Sequence, residues 1–339
     1  MFINFNMTKI LFMFLMIIST LFSLSSISFM NMWMGMEVNL ISFIPLMMNK
    51  LNNLSSESMM KYFLIQSISS VNFLFSSIYL IFLNKWFNYL NNLIYLLIIM
   101  ILNMSLLMKM GAAPLHFWFP KTMKNLTWTN CFLLSTWQKI IPMIILFYSY
   151  LKLLIFFFVF FSVIMGSLMG LNQTSLILLI SYSSINHIGW MLMSLIINLN
   201  LWIIYFLIYM FINFILMMMF NKIKIFNLNQ IFYNKMNLIN YFILLNLLSL
   251  GGLPPFLGFL SKWMIINYLI NEHMYMICMT LILTSLISLF FYIRITYSYM
   301  MINFNEMKFF SYKMEKSKIL ILMNFLSISS LILISLFFF

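Results

Sequence analysis

Glu37, Lys109, Lys139 and Lys262 each lie within or beside a long apolar run that otherwise reads as a membrane-spanning helix. An ionisable side chain at the centre of a bilayer helix costs roughly 2.5–3.5 kcal/mol even on insertion-based scales. Four unpaired groups would forfeit about 10–14 kcal/mol, on the scale of a whole domain's stability of about 5–15 kcal/mol. Such groups persist where they face one another, or water, along a path for protons or ions. The expected chemistry is proton exchange among one carboxylate and three amines.

Glu37 sits in Trp33-Met34-Gly35-Met36-Glu37-Val38-Asn39-Leu40 and is the only acid well inside a predicted span. Three readings stand: a carboxylate whose proton affinity follows a neighbouring lysine, a carboxyl kept neutral by apolar surroundings, or a static partner for a lysine. Lys109 precedes Gly111-Ala112-Ala113-Pro114-Leu115-His116. Proline removes a backbone donor and clashes with the preceding turn, so the spacing predicts a broken helix with freed carbonyls and a small polar pocket beside Lys109. Interrupted helices of this kind line transport sites at mid-membrane; the alternative is a mechanical kink with Lys109 reaching a headgroup. His116 is open between accepting protons and satisfying freed carbonyls.

The device recurs in Gly251-Gly252-Leu253-Pro254-Pro255, followed by Lys262. Two breaks five spans apart predict two repeats of opposite topology, over about 10–149 and 153–300. Lys139, in Thr136-Trp137-Gln138-Lys139-Ile140-Ile141-Pro142, lies too deep to reach either surface. Burial disfavours an ammonium, so Lys139 is a candidate relay. Ser183, Ser184 and His187 share one helical face, for interhelical hydrogen bonding or for a hydrated link between the repeats. Lys61 either snorkels at a span mouth or acts beside Glu37, and Arg294 is expected to pack structurally.

The elements that must position these groups follow from composition. The 339 residues are 64% hydrophobic and 7% charged, against about 25% charged in a soluble domain. Backbone groups in lipid must pair internally, and unalternating runs such as 153–169 and 201–220 exclude barrel strands. The expected fold class is all-α, a single polytopic domain over 1–339 with eleven spans. These centre on 10–28, 30–48, 60–83, 92–122, 126–149, 153–170, 174–196, 200–221, 238–270, 274–300 and 319–338. The first run reads as a permanent helix and not a cleaved signal.

With this count, Lys9, Lys50, Lys121, Lys124, Lys222, Lys224, Lys235, Lys308, Lys313, Lys316 and Lys318 share one face, and only Lys85 and Lys152 the other. The positive-inside rule then places the N-terminus inside. The net charge of +13 is scattered over loops, which excludes a nucleic-acid surface. Cys131 and Cys278 lack metal-ligand spacing and read as packing residues, with no metal and no disulfide. Thirty-six methionines beside a single arginine hint at an AT-rich coding sequence of organellar origin.

Taken together, the stretches Met34–Pro45, Lys109–Pro120, Thr136–Pro142, Leu171–Met191 and Asn246–Trp263 resemble the mitochondrially encoded antiporter-like membrane subunits of respiratory complex I. The Gly111–Pro120 and Gly251–Leu260 segments are the most specific part of the match, which runs in order over most of the chain. The resemblance implies a multi-pass subunit of the mitochondrial inner membrane, with its N-terminus on the matrix side. It would help to couple electron transfer from NADH to ubiquinone to proton pumping. It implies Glu37 and Lys109 as the interacting pair, Lys139 as central relay and Lys262 as terminal lysine, with proton passage along water and polar side chains. Other membrane-arm subunits and the lipid bilayer are the implied partners, with no soluble substrate bound directly. No cofactor is expected in this chain; flavin, iron–sulfur clusters and ubiquinone would belong to other subunits. One departure is Leu176-Ile177-Leu178-Leu179, where the family often carries an Arg-Lys pair, so a charged entry there is not expected. The competing expectations are a standalone cation/proton antiporter and a structural scaffold whose charges lock helices.

Overall fold

The structure, a computed structural model, describes residues 7–48, 53–86, 92–233 and 238–304. The first half of the chain forms α1 (Met7–Ser25), α2 (Phe29–Met47), α3 (Asn53–Trp86), α4 (Asn92–Met110), α5 (Trp118–Met123), α6 (Trp128–Ser135) and α7 (Trp137–Ser149). Then follow α8 (Lys152–Leu171), α9 (Leu176–Ile197), α10 (Leu199–Ile223), α11 (Leu228–Tyr233), α12 (Leu238–Gly251), α13 (Leu257–Asn271) and α14 (Tyr275–Phe304). Among the described residues there is no strand, only an isolated antiparallel bridge between Ser175 and Asn227.

Helix covers each of the first ten predicted segments, and eight stretches among the described residues are long and apolar enough to cross a membrane. α2 is less apolar, its run diluted by Asn31, Glu37 and Asn39. The predicted span over 319–338, with Lys50, Lys235, Lys308, Lys313, Lys316 and Lys318, lies outside the described residues. Outward-facing positions on α1 and α3, such as Phe14, Leu21, Leu64 and Val71, are exposed hydrophobics, as a lipid-facing surface requires.

The predicted fifth span is not one helix. It breaks at Thr136, whose φ of −119° and ψ of −69° separate α6 from α7. The Thr136 hydroxyl donates back to the Phe132 carbonyl (2.7 Å), sharing that acceptor with the Thr136 backbone N–H (3.0 Å). Six residues later Pro142 withholds a backbone donor inside α7. Lys139 therefore sits on a short turn loosened at both ends.

The chain divides into two compact units, Met1–Phe158 and Val159–Phe339, with the boundary inside α8. In the first unit α1 packs on α2, α3 on α2, α4 and α5, and α7 on α4, α6 and α1. In the second, α9 meets α10 and α13, while α14 meets α11, α12 and α13. α9 is buried along nearly its whole length. α8 and α9 approach closely at small residues: a Cβ on Gly189 would stand 2.3 Å from Val163 Cγ2. Close backbone contact through glycine is a common means of packing helices in lipid. Here it fixes the neighbouring Trp190.

Candidate functional site

The two predicted helix breaks share one local geometry. At the end of α4, Gly111 adopts φ +77°. Its N–H donates to Met108 O (3.2 Å), and the Ala112 N–H donates to Leu107 O (3.1 Å). At the end of α12, Gly252 adopts φ +86°, with N–H donation to Ser249 O (3.1 Å) and from Leu253 to Leu248 O (3.5 Å). This is the glycine-terminated Schellman arrangement. Only glycine enters that backbone region cheaply, and the following prolines bar the helix from continuing. Helix resumes at Trp118 and at Leu257.

Each break leaves orphan carbonyls, and the two units satisfy them differently. In the first, Gln66 Nε2 donates to the Lys109 carbonyl (3.3 Å) and Trp118 Nε1 to the Met108 carbonyl (3.1 Å). In the second, Lys262 Nζ donates to the Gly251 carbonyl (2.7 Å) and the Leu250 carbonyl (3.4 Å). Neutral donors close one break and an amine closes the other.

The three interior lysines are deeply buried: Lys109 is 7% exposed, Lys139 1% and Lys262 5%. Among the described residues Lys61 pairs with Glu57, whereas neither Lys109 nor Lys262 makes an ion pair with a carboxylate. Lys109 Nζ faces Met36 Sδ at 3.5 Å. Glu37, the next residue on α2, keeps a buried Oε1 without a hydrogen-bond partner, yet lies within electrostatic reach of Lys109. Lys139 Nζ lies 5.1 Å from the centroid of the Phe119 ring, and Lys262 Nζ 5.9 Å from that of Trp190. Aromatic faces attract ammonium groups, more strongly when water is excluded.

Beside Lys109 opens a small cleft lined by Met36, Asn39, Tyr62, Gln66, Gln138 and Pro142, among others. It is roomy enough for at least one water molecule, which its polar walls could hold. Asn39 and Gln138 exchange amide hydrogen bonds, Nδ2 to Oε1 at 3.1 Å and Nε2 to Oδ1 at 3.2 Å. The Tyr62 hydroxyl also donates to Gln138 Oε1 (3.3 Å). Sequence reading passed over Asn39, Tyr62, Gln66 and Gln138 because it followed charge. The available signal was amide side chains in apolar runs, at Gln66 and Gln138 above all. Hydrogen bonds between membrane helices contribute about 0.6 kcal/mol on average and up to about 1.7 kcal/mol. Asn39→Leu and Gln138→Leu are therefore expected to destabilise the detergent-solubilised protein less together than the sum of each alone. A thermal-unfolding double-mutant cycle reads this as coupling of about 1 kcal/mol; strict additivity would contradict it.

The remaining candidates lie elsewhere. Lys61 is turned to Glu57, one helical turn away on α3, and both are exposed, so it is not brought to Glu37. The sequence count placed the third span from residue 60, whereas α3 begins at Asn53, which puts Glu57 on the same helix face as Lys61. His116 is buried against Phe117 with ring centroids 4.5 Å apart, and its Nδ1 has no partner. The freed carbonyls of Met108 and Lys109 are taken by Trp118 and Gln66 instead. His187 bonds through Nδ1 to the Tyr205 hydroxyl (2.7 Å) and lies 5.0 Å from the Tyr209 ring. Ser183 and Ser184 donate to Ile180 and Ser181 carbonyls of their own helix. Arg294 donates to the Leu171 carbonyl at the end of α8 (2.6 Å), a structural cap. Among the described residues no three His, Cys, Asp or Glu side chains gather to hold a metal ion.

Comparison with known proteins gives this arrangement a family. The family described as "NADH:quinone oxidoreductase/Mrp antiporter, TM" matches residues 26–288. NADH-ubiquinone oxidoreductase chain 2 of Anopheles gambiae is 45% identical, over 96% of this chain and 96% of its own. The chain 2 proteins of Aedes aegypti and Canis rufus are 44% and 34% identical, covering 95% and 94% of this chain and 96% and 93% of theirs. The fold is similar to a chain in respiratory complex I from Thermus thermophilus with bound aureothin, at a TM-score of 0.84 and 20% identity, covering 98% of this chain and 79% of that one. It is also similar to a chain of the Mrp complex from Dietzia sp., at a TM-score of 0.75 and 16% identity, covering 84% of this chain and 59% of that one. With a match over residues 26–288 and relatives 34–45% identical along nearly its whole length, this chain belongs to the NADH:quinone oxidoreductase/Mrp antiporter transmembrane family.

Proposed function

We propose that the chain is a membrane-arm subunit of NADH:ubiquinone oxidoreductase, complex I, and contributes a proton-translocation path to it. The support is the near-complete match to NADH-ubiquinone oxidoreductase chain 2 relatives and three lysines buried in the interior, two of which, Lys109 and Lys262, make no ion pair among the described residues. The second of these carries the mechanism. A lysine kept in a dry interior only for docking would be paired; Lys109 faces a thioether, and Lys262 an indole and backbone carbonyls.

In this reading the chain has eleven spans in two inverted repeats plus a final helix, in the mitochondrial inner membrane with its N-terminus on the matrix side. Flavin, iron–sulfur clusters and ubiquinone reside in other subunits, and the neighbours are further membrane-arm subunits and lipid. Glu37, Lys109, Lys139 and Lys262 are the proton-carrying groups, with His187 and His116 as subsidiary candidates and Lys61 peripheral. The observed geometry corresponds to a separated Glu37–Lys109 pair. Met36 occupies the place facing the amine, and Glu37 stands about 100° further round α2. Closing the pair, by a turn of α2 or a swing of the Lys109 side chain, would favour the ammonium; reopening it would release a proton into the polar cleft. One charge moved across about 100 mV requires about 2.3 kcal/mol, and a tenfold change in proton affinity corresponds to about 1.4 kcal/mol. A change of about two units at one lysine is therefore adequate. The standalone antiporter alternative is supported by the shared family and by fold likeness.

Lys109→Met and Glu37→Gln, each in the assembled complex, test the reading. Both are expected to lower the ratio of protons translocated to electrons transferred, or to stop coupled turnover. An unchanged ratio at full turnover in both variants would overturn it.

A further inference from the structure

Lys262 needs a counter-charge, and among the described residues of the second unit the one acid, Glu272, is exposed at the far end of α13. We propose that the carbonyl end of α12 and the indole face of Trp190 form a seat for the Lys262 ammonium, with Gly252 making room for its stem. Trp190 and Gly252 are then positioning residues for this lysine. The inference rests on the proton-carrying role proposed above for Lys262.

The local sequence builds the seat. A helix C-terminus carries about half a negative charge on its unsatisfied carbonyls, and the Schellman turn at Gly252 ends α12 abruptly enough to present them. Gly258, in the first turn of α13, lies so close to α12 that a Cβ there would stand 1.7 Å from Ser249 O. Lys262 follows four residues later and so projects from the same face of α13. Its side chain runs across Gly252, where a Cβ would stand 3.0 Å from Cδ, 3.3 Å from Cε and 3.1 Å from Nζ. The amine thus reaches the Gly251 and Leu250 carbonyls. Trp190, fully buried on α9, presents its ring to the other side of the amine. In the first unit Gln66 takes the Lys109 carbonyl, the counterpart of Leu250, and Trp118 takes the Met108 carbonyl one position earlier.

α13 packs on α9, α10, α12 and α14. Of their titratable groups, Tyr292 of α14 lies against Gly251, His187 of α9 is bonded to Tyr205 of α10, and Arg294 of α14 to the Leu171 carbonyl. Tyr299 of α14 is bonded to Asn240 of α12. The Lys262 amine donates to the two carbonyls and lies over the indole.

The test measures the pH profile of NADH:ubiquinone turnover and the proton-to-electron ratio in the assembled complex carrying Trp190→Leu or Trp190→Phe. Removing the aromatic face weakens the ammonium, so Trp190→Leu is expected to move the alkaline limb to lower pH by about one unit. Trp190→Phe, which keeps a ring, should move it by less than half as much. If the leucine variant does not assemble, Trp190→Met takes its place with the same expected shift. Profiles that coincide with the parent's, or leucine and phenylalanine variants that shift equally, would overturn the seat. Lys262→Met separates the two ideas. Lost pumping there beside an unshifted Trp190→Leu profile sinks the seat alone, whereas intact pumping sinks the proton-carrying role of Lys262.

Discussion

With Lys139 replaced by methionine, the complex is expected to assemble but to lose this subunit's share of proton translocation. Methionine has nearly the length and flexibility of lysine and packs well in irregular apolar space, so the turn between Thr136 and Pro142 keeps its filling. What goes is the titratable amine at the most enclosed of the four positions, 1% exposed and seated over Phe119. Removing a positioned acid–base group slows proton transfer by about 100-fold or more. The ratio of protons to electrons, measured in reconstituted vesicles, should fall, or NADH oxidation should stall where transport and turnover are tightly coupled. An unchanged ratio at normal turnover would remove Lys139 from the path. Abundance of the complex, followed in parallel, separates this from a folding defect.

Gly258→Ala is expected to act on assembly instead. The added methyl would lie 1.7 Å from Ser249 O and 2.8 Å from Ser249 C. Both atoms belong to backbone that cannot swing aside as a flexible side chain would. α12 and α13 must separate, at a cost of about 1–3 kcal/mol or more for overpacking a filled interior. Losses of about 1–2 kcal/mol already change cellular abundance several-fold, so assembled complex should fall by about fivefold. Normal levels in native gels would show that the helices approach less closely than described.

Much of this was legible in the residues. Long apolar runs fixed the all-helical class, because lipid leaves the backbone no other partner, and the Gly-Ala-Ala-Pro and Gly-Gly-Leu-Pro-Pro strings located both breaks. Their terminating glycines both adopt positive φ, since both breaks use chemistry local to five or six residues. The step at Thr136 was not legible. It depends on a hydroxyl donating to its own helix, and threonine does that in intact membrane helices as well. Nor could sequence show that Lys109 faces Met36 instead of Glu37. The two neighbours differ by one helical position, and packing against other helices sets which of them faces the amine. The neutral lining of the cleft was missed for a related reason. Asn39 and Gln138 lie far apart in the chain and acquire meaning only as a reciprocal pair.

A high-resolution map of the assembled complex, in which individual waters are seen, would examine the central claim most directly. The account predicts ordered water in the cleft among Asn39, Gln66, Lys109 and Gln138, within hydrogen-bonding distance of the Lys109 amine. A dry cleft closed by apolar side chains, with the Lys109 amine drawn out to a lipid headgroup, would contradict it.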